Sequence, residues 1–282
     1  MTNTINKFFT IEKNGANLNK GMIKDMLMDC LNMPNSEIAE CLQGNYQYSI
    51  LNLLLCKWQL KQQGYNMGLI QCGSKWREDN RTQKQGAKKL WMRLPVTIYE
   101  RDSKGNIMLD DKGNKKISYI RFKFAQNWLA YDQTQGDDDK SVNDRLSSIN
   151  INLDKICSAL KVKLIDYDYS AQNCGGYAIV NDKKIAINPA IKSDYEIASV
   201  LFHELGHVAC EHKPEDNRAE KEIEAEGVAL IMGKIFNIGN EKTASAYIQN
   251  WSGKNSKLIT DKVANNILKG VNKILKANNK GE

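Results

Sequence analysis

Histidine is almost missing from this sequence. Its 282 residues contain three, and all three fall between Val200 and His212, in VLFHELGHVACEH. So scarce a residue, confined to one short stretch, points to chemistry there. Other absences narrow the field. No run of about 18 apolar residues occurs, which excludes a spanning helix, and the opening MTNTINKFFTIEKNG lacks the long apolar region of a signal peptide. The chain therefore reads as intracellular, in the cytoplasm. Seven cysteines (30, 41, 56, 72, 157, 174 and 210) form no C-x-x-C pair; their odd number argues against a disulfide framework and leaves reduced thiols. No Gly-rich phosphate loop, coiled coil or internal repeat emerges.

Within the histidine stretch, His203, Glu204 and His207 spell H-E-x-x-H. Side chains four apart on a helix lie on one face, so two imidazoles at this spacing can share one metal ion. Glu204, one residue after the first histidine, falls where a general base is needed. Ser193 and Glu196 form an S-x-x-E helix start, and Ile197, Val200, Leu201, Leu205 and Val208 give an apolar stripe. A third histidine at the metzincin spacing would fall on Lys213; His212 is one residue out of step and reads as structural.

The third ligand is sought in the next helix, among Glu222, Glu224 and Glu226. Glu226 is preferred because it begins the apolar run EGVALIM, where an unpaired charge is costly and a cation would satisfy it. Glu222, one turn earlier on the same face, is the reserve, while Glu224 points roughly opposite and reads as solvated. The cofactor expected is Zn2+ or another divalent metal.

Charge is unevenly placed. Residues 1 to 135 hold 20 Lys+Arg against 12 Asp+Glu, an excess of +8, whereas 136 to 282 hold 20 against 21. A basic half joined to a neutral one suggests a polyanionic partner for the first. The most basic region, Gly73 to Pro95, interleaves Trp76 and Trp91 with Lys75, Arg77, Arg81, Lys84, Lys88, Lys89 and Arg93. Cations along phosphates with aromatic faces on bases is how single-stranded nucleic acid is held.

In chain order, residues 1 to 15 read as a loose arm. Helices are expected over Asn19 to Leu42, broken at Pro34, and over the apolar run ending at Gly64. Strands are expected at Val96 to Arg101 and Ile117 to Phe124, with Tyr119, Arg121 and Lys123 on a face that extends the nucleic-acid platform. The polar segment 131 to 144 marks a boundary. The predicted organisation is α+β in two domains: a basic domain over 1–133, a linker over 134–144, and a domain over 145–282 that carries the H-E-x-x-H helix. The latter opens with a helix from about Ser141 to Leu160 and a strand Val162 to Tyr167. A hairpin over Gly175 to Asn188 turns at Asn181 and Asp182 and can take an extended peptide as an added strand. Tyr177 is a candidate oxyanion-stabilising group. Tyr247, Ile248 and Trp251 precede a last helix with Val263, Ile267, Val271 and Ile274 as its packing stripe.

These residues resemble the ArdC-type antirestriction proteins of plasmids and mobile elements. The likeness rests on YSILNLLL, KWREDNRTQKQGAKKLW, PVTIYE, RFKF and FAQNWLAYDQTQG in the first half, and on HELGH followed by EIEAEGVALIM in the second. It implies an N-terminal single-stranded DNA-binding domain and a C-terminal zincin metallopeptidase-like domain related to the ImmA/IrrE group. By position it also implies His203, His207 and Glu226 as ligands and Glu204 as base. Three functions follow as expectations: DNA binding combined with peptide hydrolysis, a non-catalytic DNA shield with a structural metal, or an ImmA-like protease acting on a repressor.

Overall fold

The structure is a computed structural model that describes residues 9–12, 15–136, 150–170, 174–238, 249–251 and 253–279. It is a mixed helix and strand architecture. Strands β1 (Phe9–Glu12) and β2 (Gly15–Leu18) pair antiparallel, so the expected loose arm contains a short hairpin in which two segments satisfy each other's backbone groups. The helical pattern after Asn19 divides at Pro34 as predicted, into α1 (Met22–Asn32) and α2 (Asn35–Leu42). Helix α3 (Ile50–Gln63) starts where Ser49 accepts the Asn52 N–H and stops at Gly64. Its consecutive Leu53, Leu54, Leu55 and Cys56 are all buried, so the first two turns of α3 are covered on every side, while Lys61 and Gln62 near its end are exposed.

Next come β3 (Ile70–Cys72), α4 (Gly73–Glu78), β4 (Arg81–Gln83), β5 (Leu90–Tyr99), β6 (Ile117–Ala130) and β7 (Thr134–Gly136). The main sheet of this half has the order β3-β6-β5, antiparallel throughout. Part of each edge is closed by amide side chains. On the β5 edge, Asn52 donates to Arg93 O at 3.0 Å and accepts Arg93 N–H at 2.8 Å. Two helical turns later Gln59 does the same with Trp91, at 2.9 and 2.8 Å. On the β3 edge Asn45 donates to Gly68 O at 3.0 Å and accepts Ile70 N–H at 2.8 Å. Each amide stands in for a neighbouring strand.

Both strands of the β5–β6 ribbon run further than the sequence suggests, since β5 begins at Leu90 and β6 continues to Ala130. On β6, residues 117 to 123 are exposed on both faces, and only Phe124 of that alternation is buried. Between the strands, D-x-K-G-N occurs twice, at 102–106 and 110–114. Asp102 accepts the backbone N–H of Lys104 and Asn106, and Asp110 repeats this with Lys112 and Asn114. Thr134–Gly136, the start of the expected linker, pairs with β4.

The second half contains α5 (Leu153–Leu160), β8 (Lys163–Ile165), β9 (Gly176–Ile179), β10 (Lys184–Ile187), α6 (Asp194–Cys210), α7 (Arg218–Ile235) and α8 (Asp261–Asn279). The start of the helix expected from Ser141, and Tyr247 and Ile248, lie outside the described residues. Strand order is β8-β10-β9, with β8 parallel and β9 antiparallel to the central β10. Helix α8 packs on α5, α6 and α7 and also on α1 and α3. Its polar residues close chain ends elsewhere: Asp261 accepts Gly21 N–H and Lys24 N–H at the start of α1, at 2.6 and 3.0 Å. Asn272 likewise accepts Ile50 N–H at the start of α3, at 2.8 Å. Apolar side chains from Met22 to Ala277 form one buried cluster. Among the described residues no helix is long and apolar enough to cross a membrane.

Candidate metal centre and active site

Helix α6 begins where the Ser193 hydroxyl accepts Glu196 N–H at 3.4 Å, and it buries Leu201, Leu205 and Val208. The glycine of HELGH has a packing role. A Cβ on Gly206 would lie 2.9 Å from Ala225 Cα, so α7 can approach α6 only at this residue's bare backbone. Asn217 starts α7 by accepting Glu220 N–H at 3.1 Å. The two helices, joined by a short loop, thus set the histidines of one against the glutamates of the other.

The structure brings His203, His207 and three glutamates together, in roles that differ from those read in the sequence. The Nε2 atoms of His203 and His207 face each other at 3.2 Å. Glu222 Oε2 lies 3.4 Å from His203 Nε2 and 3.9 Å from His207 Nε2. Glu226 Oε2 instead lies 3.0 Å from His203 Nδ1, on the far side of that ring. The atoms that converge on one point therefore belong to His203, His207 and Glu222. This corrects the preference for Glu226 as third ligand: one helical turn puts both carboxylates on the same face, but it places Glu226 behind the imidazole and Glu222 in front.

Glu224 requires a second correction. It does point away from Glu222 and Glu226, yet it is only 4% exposed, because α8 covers that side. Its Oε2 is 2.9 Å from His212 Nε2, and its Oε1 accepts from Asn266 Nδ2 at 2.9 Å. His212 is buried, as its structural reading requires, and its Nδ1 lies 2.9 Å from His207 Nδ1. Glu211 makes this possible by ending α6 in a left-handed turn at φ +59, which folds His212 back over His207. Neither Asn266 nor the His207–His212 contact was legible in the sequence. The only signal was histidine scarcity itself.

The donor set fits a divalent cation. A carboxylate only accepts, so with Glu226 ionised His203 Nδ1 carries a hydrogen and its Nε2 presents a lone pair. Burial, and then the nearby His203, His212 and Lys221, push the His207 pKa down to about 3, so this ring is neutral at physiological pH. A carboxylate oxygen and imidazole nitrogens then face one point, the donor chemistry of a divalent-metal site. A proton competes for the same place. Burial opposes a charge on His203, but the Glu226 hydrogen bond and the carboxylates of Glu204, Glu226 and Glu222 outweigh it and raise its pKa.

Glu204 is 7% exposed. Burial, assisted by Glu222 and opposed by His203, raises its pKa to about 7, so it can hold or release a proton near neutrality. It borders a cleft of about 890 Å³ lined by the histidines, Glu222, Glu226 and the edge strand β9. At Gly176 on that strand a Cβ would meet Val200 Cγ1 at 2.7 Å and lie 3.5 Å from Glu204 Cγ, so a side chain there would press on the acid. Tyr177 also lines the cleft, but its hydroxyl accepts Asp168 N–H at 3.2 Å and its ring packs near Tyr167. Accepting that hydrogen leaves the tyrosine's own O–H to donate.

The nine residues singled out for nucleic acid divide sharply. Trp76 is 1% exposed and donates its indole N–H to Leu129 O at 2.9 Å, and Arg81 is 4% exposed with Nε on Thr134 Oγ1 at 3.0 Å. Both belong to the interior, which corrects their reading as contact residues: the tryptophan fills a small core and the guanidinium satisfies the β4–β7 region. Trp91 is half-buried against the core, and Arg93 lies 3.6 Å over the Phe122 ring. Lys84 pairs with Asp132 at 3.4 Å and Lys75 with Glu78 at 2.8 Å. Lys75, Arg77 and Lys88 are exposed and Lys89 is half-buried.

Fold and site together define an α+β protein with a histidine–glutamate cluster at a cleft. Neither a protein-family model nor a curated protein matches the chain. Among solved structures it is similar to the antirestriction protein ArdC from R388 plasmid. The Mn(II)-bound structure has 15% identity over 93% of this chain and 99% of that chain, with a TM-score of 0.49. The metal-free structure has 16% identity over 90% and 95%, with a TM-score of 0.45.

Proposed function

We propose that this chain is a divalent-cation-dependent, zincin-like peptidase joined to a basic DNA-contacting half, with residues 1–133 and 145–282 as its two functional modules. The reading is carried by one observation: two imidazole nitrogens and a carboxylate oxygen converge beside a buried acid. His203, His207 and Glu222 would hold the cation, and zinc suits this nitrogen-rich set. When bound, such a cation supplies Lewis acidity, polarising a peptide carbonyl and making water a stronger acid.

The chain's own groups do the rest. Glu204, the buried acid next in sequence to His203, takes the proton that water gives up and returns it to the leaving nitrogen. Burial around it keeps bulk water from competing. The edge of β9, which lines the cleft, receives the substrate as an added strand. In the other half, Lys75, Arg77, Lys88 and Lys89, with Tyr119, Arg121 and Lys123 on β6, form the surface for single-stranded DNA. The sequence resemblance to ArdC-type proteins supports antirestriction as the biological role.

Metal analysis tests the ligand set. One Zn(II) per chain is expected, abolished by Glu222→Gln and only weakened by Glu226→Gln; metal lost with Glu226→Gln and kept with Glu222→Gln would reverse the assignment. A restriction-protection assay separates peptidase from shield. If Glu204→Gln protects DNA as well as wild type while K88E/K89E does not, protection comes from covering DNA rather than from hydrolysis.

A further inference from the structure

We infer that Asn266, Glu224 and His212 form a proton-ordered relay that holds His207 as its Nδ1–H form, presenting the Nε2 lone pair to the cation; this rests on the metal site proposed above. The direction of each hydrogen bond follows from its partners. The Asn266 amide donates to Glu224 Oε1 at 2.9 Å, and the ionised carboxylate can only accept through Oε2. His212 Nε2, at 2.9 Å, must then be the donor. A neutral His212 has a lone pair left on Nδ1, so His207 Nδ1, also at 2.9 Å, must supply the hydrogen. Both chains of donors therefore end on the Glu224 carboxylate, Asn266 from α8 and His207 through His212 from the ligand side.

The relay matches what Glu226 does for His203 directly at 3.0 Å. A ligand histidine is ordinarily oriented by a hydrogen bond at its other nitrogen. At His207 Nδ1 the hydrogen-bond partner is His212 rather than a glutamate of α7, and Glu224, two residues after Glu222, faces α8. The left-handed turn at Glu211 places that second imidazole between His207 and Glu224. Glu222, Glu224 and Glu226 thus hold three distinct positions: ligand, remote acceptor and direct acceptor.

The cluster has a competing use. Cys210, His212 and Glu224 offer ligand atoms that lie within 4.8 Å of one another, which would suit a second cation. Against this, both ring nitrogens of His212 and both oxygens of Glu224 already have hydrogen-bond partners. Burial, and then Glu224, raise the Cys210 thiol to about 12, away from the thiolate a cation needs.

The chain has only three histidines, so nitrogen-15 spectra of the full-length protein resolve every imidazole. In wild type at neutral pH, His207 is expected as Nδ1–H and His212 as Nε2–H. Glu224→Gln keeps the shape but offers His212 an amide donor, with its oxygen still on Asn266. The order then reverses, and His207 carries its proton on Nε2. Zn(II) affinity, read by chelator competition, should fall about 10- to 100-fold, with a circular dichroism spectrum like that of wild type. Should the variant fail to fold, the wild-type tautomers alone decide. His207 as Nε2–H in wild type, His212 as an imidazolium, two Zn(II) per chain, or Glu224→Gln without effect on tautomer and affinity would each overturn the relay. A wild-type chain that binds no Zn(II) would instead overturn the metal reading, and the tautomers would still judge the relay.

Discussion

The two sheets treat their edges in opposite ways. In β3-β6-β5, Asn45, Asn52 and Gln59 cap part of each edge with amide groups. In β8-β10-β9, the strand β9 ends the sheet at the wall of the cleft. A capped stretch of edge is closed to further strands, whereas an uncapped edge bordering a cleft can be completed by a peptide. Buried polar side chains therefore do structural work in the first half. In the second they hydrogen-bond around a candidate metal centre.

The comparison breaks most visibly at Glu204. Glu204→Gln should lower peptide cleavage by about 10²- to 10⁴-fold, the usual contribution of a general base, while metal content stays unchanged. Cleavage at the wild-type rate would remove this residue from the chemistry. Asn52→Leu and Gln59→Leu come next. Each strands a buried pair of backbone groups on β5, at a cost of about 1–3 kcal/mol in urea unfolding; a change within error would mean that the edge is satisfied some other way.

A smaller effect, also at Glu204, concerns stability. Its folded pKa of about 7 lies above the ordinary carboxylate value of 4.5, so folded protein binds this proton more tightly than unfolded chain. The resulting contribution is present below about pH 4.5 and is lost as pH rises toward 7. With chelator present, Glu204→Gln should stabilise the protein by about 2 kcal/mol at pH 8 and little at pH 5; an equal gain at both values would contradict the burial argument. The smallest effect is expected at the surface. K88E/K89E should leave the melting temperature unchanged and flatten the salt dependence of single-strand binding, with the slope losing roughly 0.7 for each phosphate contact removed. An unaltered slope would move the DNA surface elsewhere on the molecule.

Much of the α6 helix was legible because its information is local. Ser193 reads as a start, the apolar stripe as a packing face, and His203 and His207 as neighbours, all from the geometry of a helical turn. The same holds for α1 and α2, divided at Pro34, and for α3, stopped at Gly64. The glutamates of EIEAE were not separable in this way. Spacing puts Glu222 and Glu226 on one face but does not say which stands before the imidazole and which behind it. Nor does spacing reveal that α8 covers Glu224. Trp76 and Arg81 were misread for a related reason: a basic, aromatic composition looks the same whether its side chains face solvent or close a small core.

By itself, then, the sequence determined the H-E-x-x-H helix, its start at Ser193 and the acids within reach, since backbone periodicity and capping chemistry fix those from residue order alone. Tertiary packing decided that Glu222 rather than Glu226 shares a point with the two Nε2 atoms, that His212 and Glu224 stand behind His207, and that β9 lines the cleft. These depend on how α6, α7 and α8 approach one another, a distance set by a missing Cβ at Gly206 and by contacts between residues far apart in the chain.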